Sequence, residues 1–399
     1  MFKLKCFRFR CLTVDRLFIM FIFLILTFPI LFLILSGSFF NCNCFKNFEI
    51  KSFVSGRFQK NLNLYFKNNI PFYGKICNIK PNIDVLTRQG AVNDVYLQDK
   101  DLIKITKGVK LGDDLHFFKA VENFANMADS LYFIVLPSKF HLYGRRYFND
   151  FTGYDFYKSE DWFNYNFCDK YKNIFKLDES VLLNRIDDIS PFYRTSSRLN
   201  GFGAYILYNE IMNSFENSAY ELSNFSVFHV ADDYFGELYS KNFSNLVAPD
   251  TIDIFKCDFV DVNLSVREYF ADGSVSVRDD ICDLSCIKNP DKLDVVFGRA
   301  TPVKVVETNL KDKDSILIFA DENVNSLVQF LSLHYKKIVV VYLNEFLGGL
   351  SQKFYSNIGD IKLCKYDKIM FFYGVESISN REMFFYMRHF KPDKFSFKY

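Results

Sequence analysis

The chain has 399 residues, of which 49% are hydrophobic, and its 49 basic residues nearly balance 47 acidic ones. This hydrophobic content suffices for a sizeable core in one large domain or two modest ones, which excludes an intrinsically disordered protein. Residues 1–16 contain five basic residues and one acidic residue, a local charge of +4, so the rest of the chain is close to neutral. We expect no nucleic-acid partner, because such a partner requires a concentrated basic face.

The first predicted element is an apolar run of nineteen residues without a charge, at residues 17–35. An α-helix of this length crosses the hydrocarbon core of a bilayer, which is about 30 Å thick. Basic residues flank only its N-terminal side, so the positive-inside tendency places residues 1–16 in the cytoplasm and the bulk of the chain outside. The sequence predicts a single-pass type II protein of the cell membrane with an uncleaved anchor. A cleaved signal peptide that ends near residues 36–38 is the alternative.

The region 36–112 is predicted to contain a juxtamembrane helix and a β-hairpin. Phe58, Leu62 and Phe66 recur at helical spacing before Pro71, which ends the pattern. Residues 95–105 then read as two short strands around a turn.

Residues 113–399 alternate between helical and strand patterns. A predicted helix from Asp113 is followed by an apolar strand at 132–137, and further strands at 315–320, 337–343 and 368–374 are separated by helical stretches. Short apolar strands joined by helices predict an α/β fold, a three-layer α/β/α sandwich with a mainly parallel sheet. Ligands of such sheets bind beyond the carboxyl ends of the strands.

The ten cysteines do not indicate a metal site. The pairs Cys42/Cys44 and Cys282/Cys286 lack the spacing of a zinc site, and no histidine lies near either pair. A domain of this size does not need disulfides to fold. We therefore expect no metal and no cofactor, with cysteines that are free or incidentally paired.

Several sequence blocks occur in a recognisable order and are spread over most of residues 37–375. They are SGRF...YFKNNIPFYGK, VYLQDKDLI, FIVLP, SPFYRT....GFGAYILYNEI, VADDYFGELYSKN...APDTIDIF, FGRATPVKVVETN and ILIFADENVNSLVQFLSLHYKKIVVVYLNEF. In order and spacing they resemble the DHHW family of bacterial membrane-anchored proteins, which are related to alginate O-acetyltransferases within the SGNH-hydrolase superfamily. The resemblance implies an SGNH-hydrolase-like fold outside the cytoplasm. It also implies a family chemistry of ester hydrolysis or O-acyl transfer by a serine that an Asp and a His assist.

The positions that carry this chemistry in the family hold other residues here. In the family pattern Tyr-x-Thr-Asp-His-His-Trp-Thr, the Asp and the second His correspond to Ser196 and Arg198. The nucleophilic serine of a Lys-Asp-Ser-Tyr-like turn corresponds to Glu322, and the Gly-Gly-Asn block that helps bind the oxyanion corresponds to residues 298–300, with Arg299 at its centre. Because arginine stays protonated and a carboxylate repels a developing oxyanion, we predict that these residues perform no serine catalysis.

Substitute catalytic residues are the alternative. His141 follows a predicted strand end and is the histidine best placed for the crevice, which makes it a candidate binding residue. Each of the other candidates is more typical of a structural or solvated side chain than of a nucleophile or base. These are Ser138, His229, Ser326 and His334.

The departures also suggest an ion pair in the former active site. Asp321 and Glu322, at the carboxyl end of a central strand, are expected to meet Arg198, with Arg299 as a second candidate partner. Serine to carboxylate and histidine to guanidinium are complementary changes, and an arginine–carboxylate bridge would fit the vacated space. Independent drift of these positions is the alternative, and a separation above about 6 Å would exclude the bridge.

The sequence therefore predicts a membrane-anchored, extracytoplasmic relative of this family that is non-catalytic and binds a glycan or a partner of a cell-envelope polysaccharide acylation system. The alternative is an active O-acyltransferase or acyl esterase with substitute residues, and a tethered structural protein without a ligand is a third hypothesis. A membrane-bound O-acyltransferase partner is implied by the resemblance alone. The candidate binding residues are Asp321, Glu322, Arg198, Arg299 and His141.

Overall fold

A computed structural model describes the chain at residues 93–98, 100–105, 122, 124–125, 129–147, 174–176, 180–183, 190–214, 219–242, 246–346, 350–358, 366–374, 377, 390–391 and 396–397. The predicted anchor and the juxtamembrane helix lie outside these residues. None of the helices that the structure describes is long and apolar enough to span a membrane. The chain divides into the units 1–87 and 88–399, and all described residues belong to the second.

The described elements alternate between strands and helices. The strands are β1 (Val95–Gln98), β2 (Asp101–Lys104), β3 (Ser130–Leu136), β4 (Ile174–Lys176), β5 (Phe225–Tyr234), β6 (Asp250–Cys257), β7 (Leu264–Tyr269), β8 (Val275–Arg278), β9 (Val303–Thr308), β10 (Ser315–Ala320), β11 (Lys337–Val341), β12 (Lys368–Gly374), β13 (Phe390–Lys391) and β14 (Ser396–Phe397). The α-helices are α1 (Lys139–Tyr147), α2 (Ser180–Leu183), α3 (Gly201–Ser214), α4 (Tyr239–Asn242), α5 (Asp294–Phe297), α6 (Asn325–Leu331), α7 (Leu343–Phe346) and α8 (Gln352–Ile358). Short 3-10 helices lie at Leu222–Asn224, Leu284–Lys288 and Glu322–Val324.

Eight strands form one sheet in the spatial order β4-β3-β12-β10-β11-β9-β7-β8. The five strands from β4 to β11 are parallel, whereas β9, β7 and β8 continue the sheet in antiparallel fashion. The mainly parallel sheet predicted from the apolar runs is thus confirmed. The predicted hairpin is also present, as the pair β1–β2.

Both faces of the central strands are buried, as expected for parallel strands covered by helices. On one face, Ile316 and Ile318 of β10 pack into a core shared with α3 and α6. On the other face, Phe124 packs edge-on against Phe319, with ring centroids 4.7 Å apart. Phe124 is helical and belongs to the stretch in which a helix was predicted from Asp113.

Helix α3 begins where the sequence provides a cap. The Asn200 side chain accepts a hydrogen bond from the amide of Gly203 at 2.8 Å, which satisfies one of the first free amides of the helix. Gly203 itself leaves room for the chain before the helix, since a Cβ atom here would lie 2.0 Å from the carbonyl oxygen of Pro191. Helix α3 therefore packs directly against the segment that leads into it.

Strands β5 and β6 form a separate two-stranded antiparallel ribbon. Phe225 pairs with Cys257 at one end, and Tyr234 pairs with Asp250 at the other. Irregular register between His229 and Tyr234 twists the second end. Asp250, at this end, contacts the backbone that precedes α3, as described below.

A buried lysine joins the hairpin to that same backbone. The ammonium group of Lys139 donates hydrogen bonds to the carbonyl oxygens of Leu102 (3.1 Å), Tyr193 (2.6 Å) and Arg194 (2.9 Å), and it contacts Asp101 at 3.4 Å. Burial lowers the pKa of Lys139, although the Asp101 carboxylate opposes this shift. The four oxygen atoms give the ammonium group the partners that a buried charge requires.

We expect Lys139→Met to lower the free energy of unfolding by about 3 kcal/mol, because the variant leaves buried acceptors and the Asp101 carboxylate without their cation. Chemical denaturation measures this change. The matched control is Lys256→Met, which breaks an exposed pair with Asp280 and should cost less than about 1 kcal/mol. Equal effects of the two substitutions would contradict this role of Lys139.

His334 is bonded to the core through Tyr208. The Tyr208 hydroxyl accepts a hydrogen bond from the amide of Tyr220 at 2.8 Å and lies 2.7 Å from Nε2 of His334. We assign the hydroxyl proton to this contact, so Nε2 acts as the acceptor and the imidazole is neutral. Burial lowers the pKa of His334 to about 4, with a smaller contribution from Lys313.

This depressed pKa predicts a loss of stability in acid. The unfolded chain takes up the proton near the ordinary pKa of about 6.5, whereas the folded protein resists it until about pH 4, so stability falls as the pH drops through this window. Between about pH 7 and about pH 4, the free energy of unfolding should fall by about 2 kcal/mol more in the wild type than in His334→Gln, allowing for the partial exposure of the ring. Urea denaturation measures the free energy of unfolding of both proteins at each pH. If it changed equally with pH in both, His334 would not be the cause of the loss of stability in acid.

Candidate functional site

A cleft of about 210 Å³ lies at the carboxyl ends of β10 and β11, where the parallel sheet was expected to bind a ligand. Its walls are mostly polar, with carboxylate, amide, hydroxyl and guanidinium groups. The described residues that line it are Arg198, Ala300, Ala320, Asp321, Glu322, Asn323, Tyr342, Asn344, Glu345 and Ser377.

Arg198 forms the charged wall of this cleft. Its guanidinium group contacts the Glu322 carboxylate and donates a hydrogen bond to Asp291 at 2.8 Å. Burial disfavours the charge of Arg198, but the carboxylates of Glu322 and Asp291 outweigh this effect and raise its pKa above the ordinary value. The contact predicted between Arg198 and Glu322 is therefore present, and Asp291 is a second carboxylate partner that the sequence did not indicate.

Asp321 does not take part in this ion network, contrary to the expectation that both acidic residues would meet Arg198. One carboxylate oxygen of Asp321 accepts a hydrogen bond from the amide of Asn323 at 3.0 Å, which caps the short helix after β10. The other accepts from the amide of Gly374 at 2.8 Å and from the hydroxyl of Ser377 at 2.6 Å. Asp321 therefore ties the end of β10 to the end of β12.

Arg299 is also placed differently from the prediction. Its side chain is 63% exposed, lies 3.6 Å from the Asp294 carboxylate and donates a hydrogen bond to Asn289 at 2.9 Å. It does not line the cleft among the described residues. The neighbouring acidic residue on α5 is closer to Arg299 than Glu322 is, so the suggested second bridge is wrong.

The turn before Arg299 is held in place by buried charged side chains that bond to its backbone. Lys304 and Arg278 both donate hydrogen bonds to the carbonyl oxygen of Phe297, and both contact the Glu268 carboxylate. Burial lowers the pKa of Lys304 to about 8, against the effect of Glu268. Gly298 has a φ of +76°, and a Cβ atom there would lie 2.3 Å from the Glu268 carboxylate, so only glycine fits this turn.

Two carboxylates that sequence reasoning missed fix the segment that carries Arg198. Glu237 accepts hydrogen bonds from the Ser196 hydroxyl at 2.5 Å and the Ser197 amide at 2.7 Å. Asp250 accepts from the amide of Thr195 at 2.8 Å and from its hydroxyl at 2.5 Å. Ser196 is fully buried, so its hydroxyl serves the loop and is not available to a ligand. Both carboxylates lie in the block VADDYFGELYSKN...APDTIDIF, and its match to the resembled family is the signal that could have identified them.

The remaining serine and histidine candidates do not meet in the cleft. The buried Ser326 hydroxyl donates a hydrogen bond to the carbonyl of Leu199 at 3.2 Å. Ser138 precedes α1, where its hydroxyl lies 2.8 Å from Nδ1 of His141 and 3.3 Å from the His141 amide, a capping contact. His229 pairs with Asp253 on the exposed ribbon. The described lining of the cleft includes neither His141 nor any other histidine.

Among the described residues, the lining of the cleft combines a guanidinium group with carboxylate, amide and hydroxyl groups and contains no histidine. Arg198 cannot accept a proton, and Glu322 is engaged by that guanidinium. Among the described residues, no group of three or more His, Cys, Asp or Glu side chains is arranged to hold a metal ion. Carboxylates, amides and hydroxyls in a concave site are well suited to hydrogen-bonding a polar ligand.

Comparisons with known proteins identify the fold. No family model matches the sequence, and neither does any curated protein. A DHHW family protein from Eubacterium siraeum is 17% identical, with a TM-score of 0.55 over 73% of this chain and 93% of that chain. Bacillus cereus PatB1 with a sulfonyl adduct is 15% identical, with a TM-score of 0.56 over 73% of this chain and 97% of that chain. The O-acetyltransferase domain of Pseudomonas putida AlgJ is 12% identical, with a TM-score of 0.41 over 74% and 98%.

The first two similarities show that this chain has the fold of a DHHW family protein and of PatB1. The relationship predicted from the order of the sequence blocks is thus confirmed at the level of the fold.

The ion pair in the cleft can be measured by a double-mutant cycle with Arg198→Met and Glu322→Gln. We expect a coupling energy of about 1 kcal/mol in the free energy of unfolding, because the pair is in direct contact but partly exposed. The same cycle on Arg299 and Asp294 is the control, and its coupling should be below about 0.3 kcal/mol because Arg299 is exposed. Equal couplings in the two cycles would show that the Arg198–Glu322 contact has no special strength.

Proposed function

We propose that this chain is a non-catalytic relative of the SGNH-type O-acetyltransferases that binds a glycan of a polysaccharide acylation system at the outer face of the cell membrane. In this proposal, residues 17–35 anchor the chain, and a membrane-bound O-acyltransferase works with it. The observation that carries the proposal is the contact of Arg198 with Glu322, at the two positions that correspond to the base and the nucleophile of the resembled family.

Loss of catalysis follows from the chemistry of these two side chains. A serine esterase needs a hydroxyl group, a base that takes its proton, and donors for the oxyanion. A guanidinium stays protonated at any physiological pH, and Glu322 gives the cleft a negative charge where an oxyanion would form.

Retention of binding is supported by what remains of the site. The cleft keeps its position beyond the strand ends, and Asp321, Gly298 and the Thr195 loop are each fixed by several hydrogen bonds or buried charges. Rigid polar groups in a cleft bind a polyhydroxylated ligand with a small loss of side-chain entropy.

Fluorophosphonate labelling, with acetyl-ester hydrolysis in parallel, tests the proposal on the purified full chain. We expect neither labelling nor turnover above background, whereas an active DHHW-type enzyme assayed beside it should give both. Stoichiometric labelling of one serine would favour the alternative, an active esterase or acyltransferase with substitute residues, and the labelled peptide would identify the nucleophile.

A restoring variant provides the matched comparison. It combines Ser196→Asp, Arg198→His and Glu322→Ser with Glu237→Gln, because Glu237 faces residue 196 and would repel a new carboxylate there. Fluorophosphonate labelling is expected to appear in this variant and not in the wild type. Labelling in both proteins at a serine other than the one introduced would contradict the proposed loss of catalysis.

A further inference from the structure

A pair of aromatic rings lies on the segment that follows the ribbon. Phe235 and Tyr239 pack with their ring centroids 4.2 Å apart and their planes inclined by 34°. Tyr239 rests on a buried apolar cluster that includes Val95 and Leu238, while Phe235 is 40% exposed. The pair therefore presents a supported aromatic surface to solvent, which we call the aromatic platform.

The platform is attached to the loop that forms the cleft wall. The amides of Gly236 and Leu238 donate hydrogen bonds to the hydroxyl and carbonyl of Thr195 at 2.9 and 3.1 Å. A Cβ atom on Gly236 would lie 2.5 Å from Cβ of Ser196, so the two segments are in direct backbone contact. Arg198 follows Ser196 two residues later and lines the cleft, so the segment that carries the platform is bonded to the loop that carries Arg198.

We propose that the aromatic platform is a second subsite, which takes the apolar face of an uncharged pyranose ring while a neighbouring sugar of the same glycan occupies the cleft. The inference rests on the proposed function, since it requires the cleft to bind a glycan. A pyranose has a face of C–H groups and a rim of hydroxyls, so it suits an aromatic ring beside carboxylate and amide groups.

The charges of the site select an uncharged glycan over a polyuronate. Asp321, Glu322 and Glu345 line the cleft against the single guanidinium of Arg198 among its described residues. Glu237 lies between the platform and the cleft and is exposed. An anionic sugar would meet a local excess of carboxylates, which repels it by several tenths of a kcal/mol or more per charge.

The platform is too small for a protein partner. One aromatic side chain offers about 150–250 Å² of surface, whereas each side of a stable protein–protein interface buries about 800 Å².

Affinity electrophoresis of the full chain in detergent tests the inference. The gels contain one of three uncharged polysaccharides, a β-glucan, a mannan or an N-acetylglucosamine polymer, and polymannuronate serves as the anionic probe. We expect retardation by at least one uncharged polysaccharide and an affinity about fivefold lower for Phe235→Ala, the loss of one aromatic contact. Phe235→Trp should retain binding, which separates the loss of stacking from a loss of folding.

The control is Phe259→Ala. Phe259 is 74% exposed and follows β6 at the end of the ribbon where Cys257 pairs with Phe225, away from the end that contacts the loop. Its removal should leave the affinity unchanged.

The other outcomes separate the two proposals. Binding that Glu322→Gln weakens but Phe235→Ala does not would overturn the platform and leave the glycan-binding function. Retardation by polymannuronate alone would overturn the preference for an uncharged glycan and also leave that function. No retardation by any of the four polysaccharides would overturn both proposals.

Discussion

The backbone of residues 193–197 is held between opposite buried charges, and the rest of the site depends on this constraint. The Asp250 carboxylate accepts hydrogen bonds from the amides of Arg194 and Thr195, while the Lys139 ammonium donates to carbonyl oxygens of the same segment. The two peptide groups that join Tyr193, Arg194 and Thr195 are thereby bonded to charged partners, and such bonds are stronger than neutral ones. The position of Arg198, and through it the ion network of the cleft, follows from a loop that cannot shift without breaking several of these bonds.

The backbone around the cleft is thus fixed by side chains other than Arg198 and Glu322. The side chains that fix this frame include Asp250, Lys304 and Asp321, and each of them bonds to backbone groups. Their contribution to stability does not depend on what occupies positions 198 and 322. An arginine and a glutamate at those two positions satisfy each other, so the exchange leaves no isolated charge in the cleft. The fold can therefore keep the geometry of a site while the chemistry changes.

The sequence predicted the parallel part of the fold because its strands are continuous apolar runs. Strand β10, SILIFA, is buried at every residue and could be recognised from its letters alone. The ribbon and the antiparallel edge were missed because their strands are partly exposed and irregular; in β5 only the first and last residues are buried. Arg198 and Glu322 were placed together only through the resemblance to a family. Asp291 could not be predicted, because it lies 93 residues from Arg198 and no spacing rule connects them.

The ion pair also restricts how a ligand can bind. A ligand that displaced Glu322 from Arg198 would have to break the contact between these two side chains. Its own contact with Arg198 would have to compensate for that loss. A ligand that instead bonds to Glu322 and Asn323 meets side chains that are already oriented by their own contacts, so less conformational entropy is lost on binding. The contact between Arg198 and Glu322 therefore gives the centre of the cleft a fixed polar surface. In the proposed mode of binding, such a surface gains from contacts outside it, which Phe235 and Tyr239 would provide on the segment that is hydrogen-bonded to Thr195.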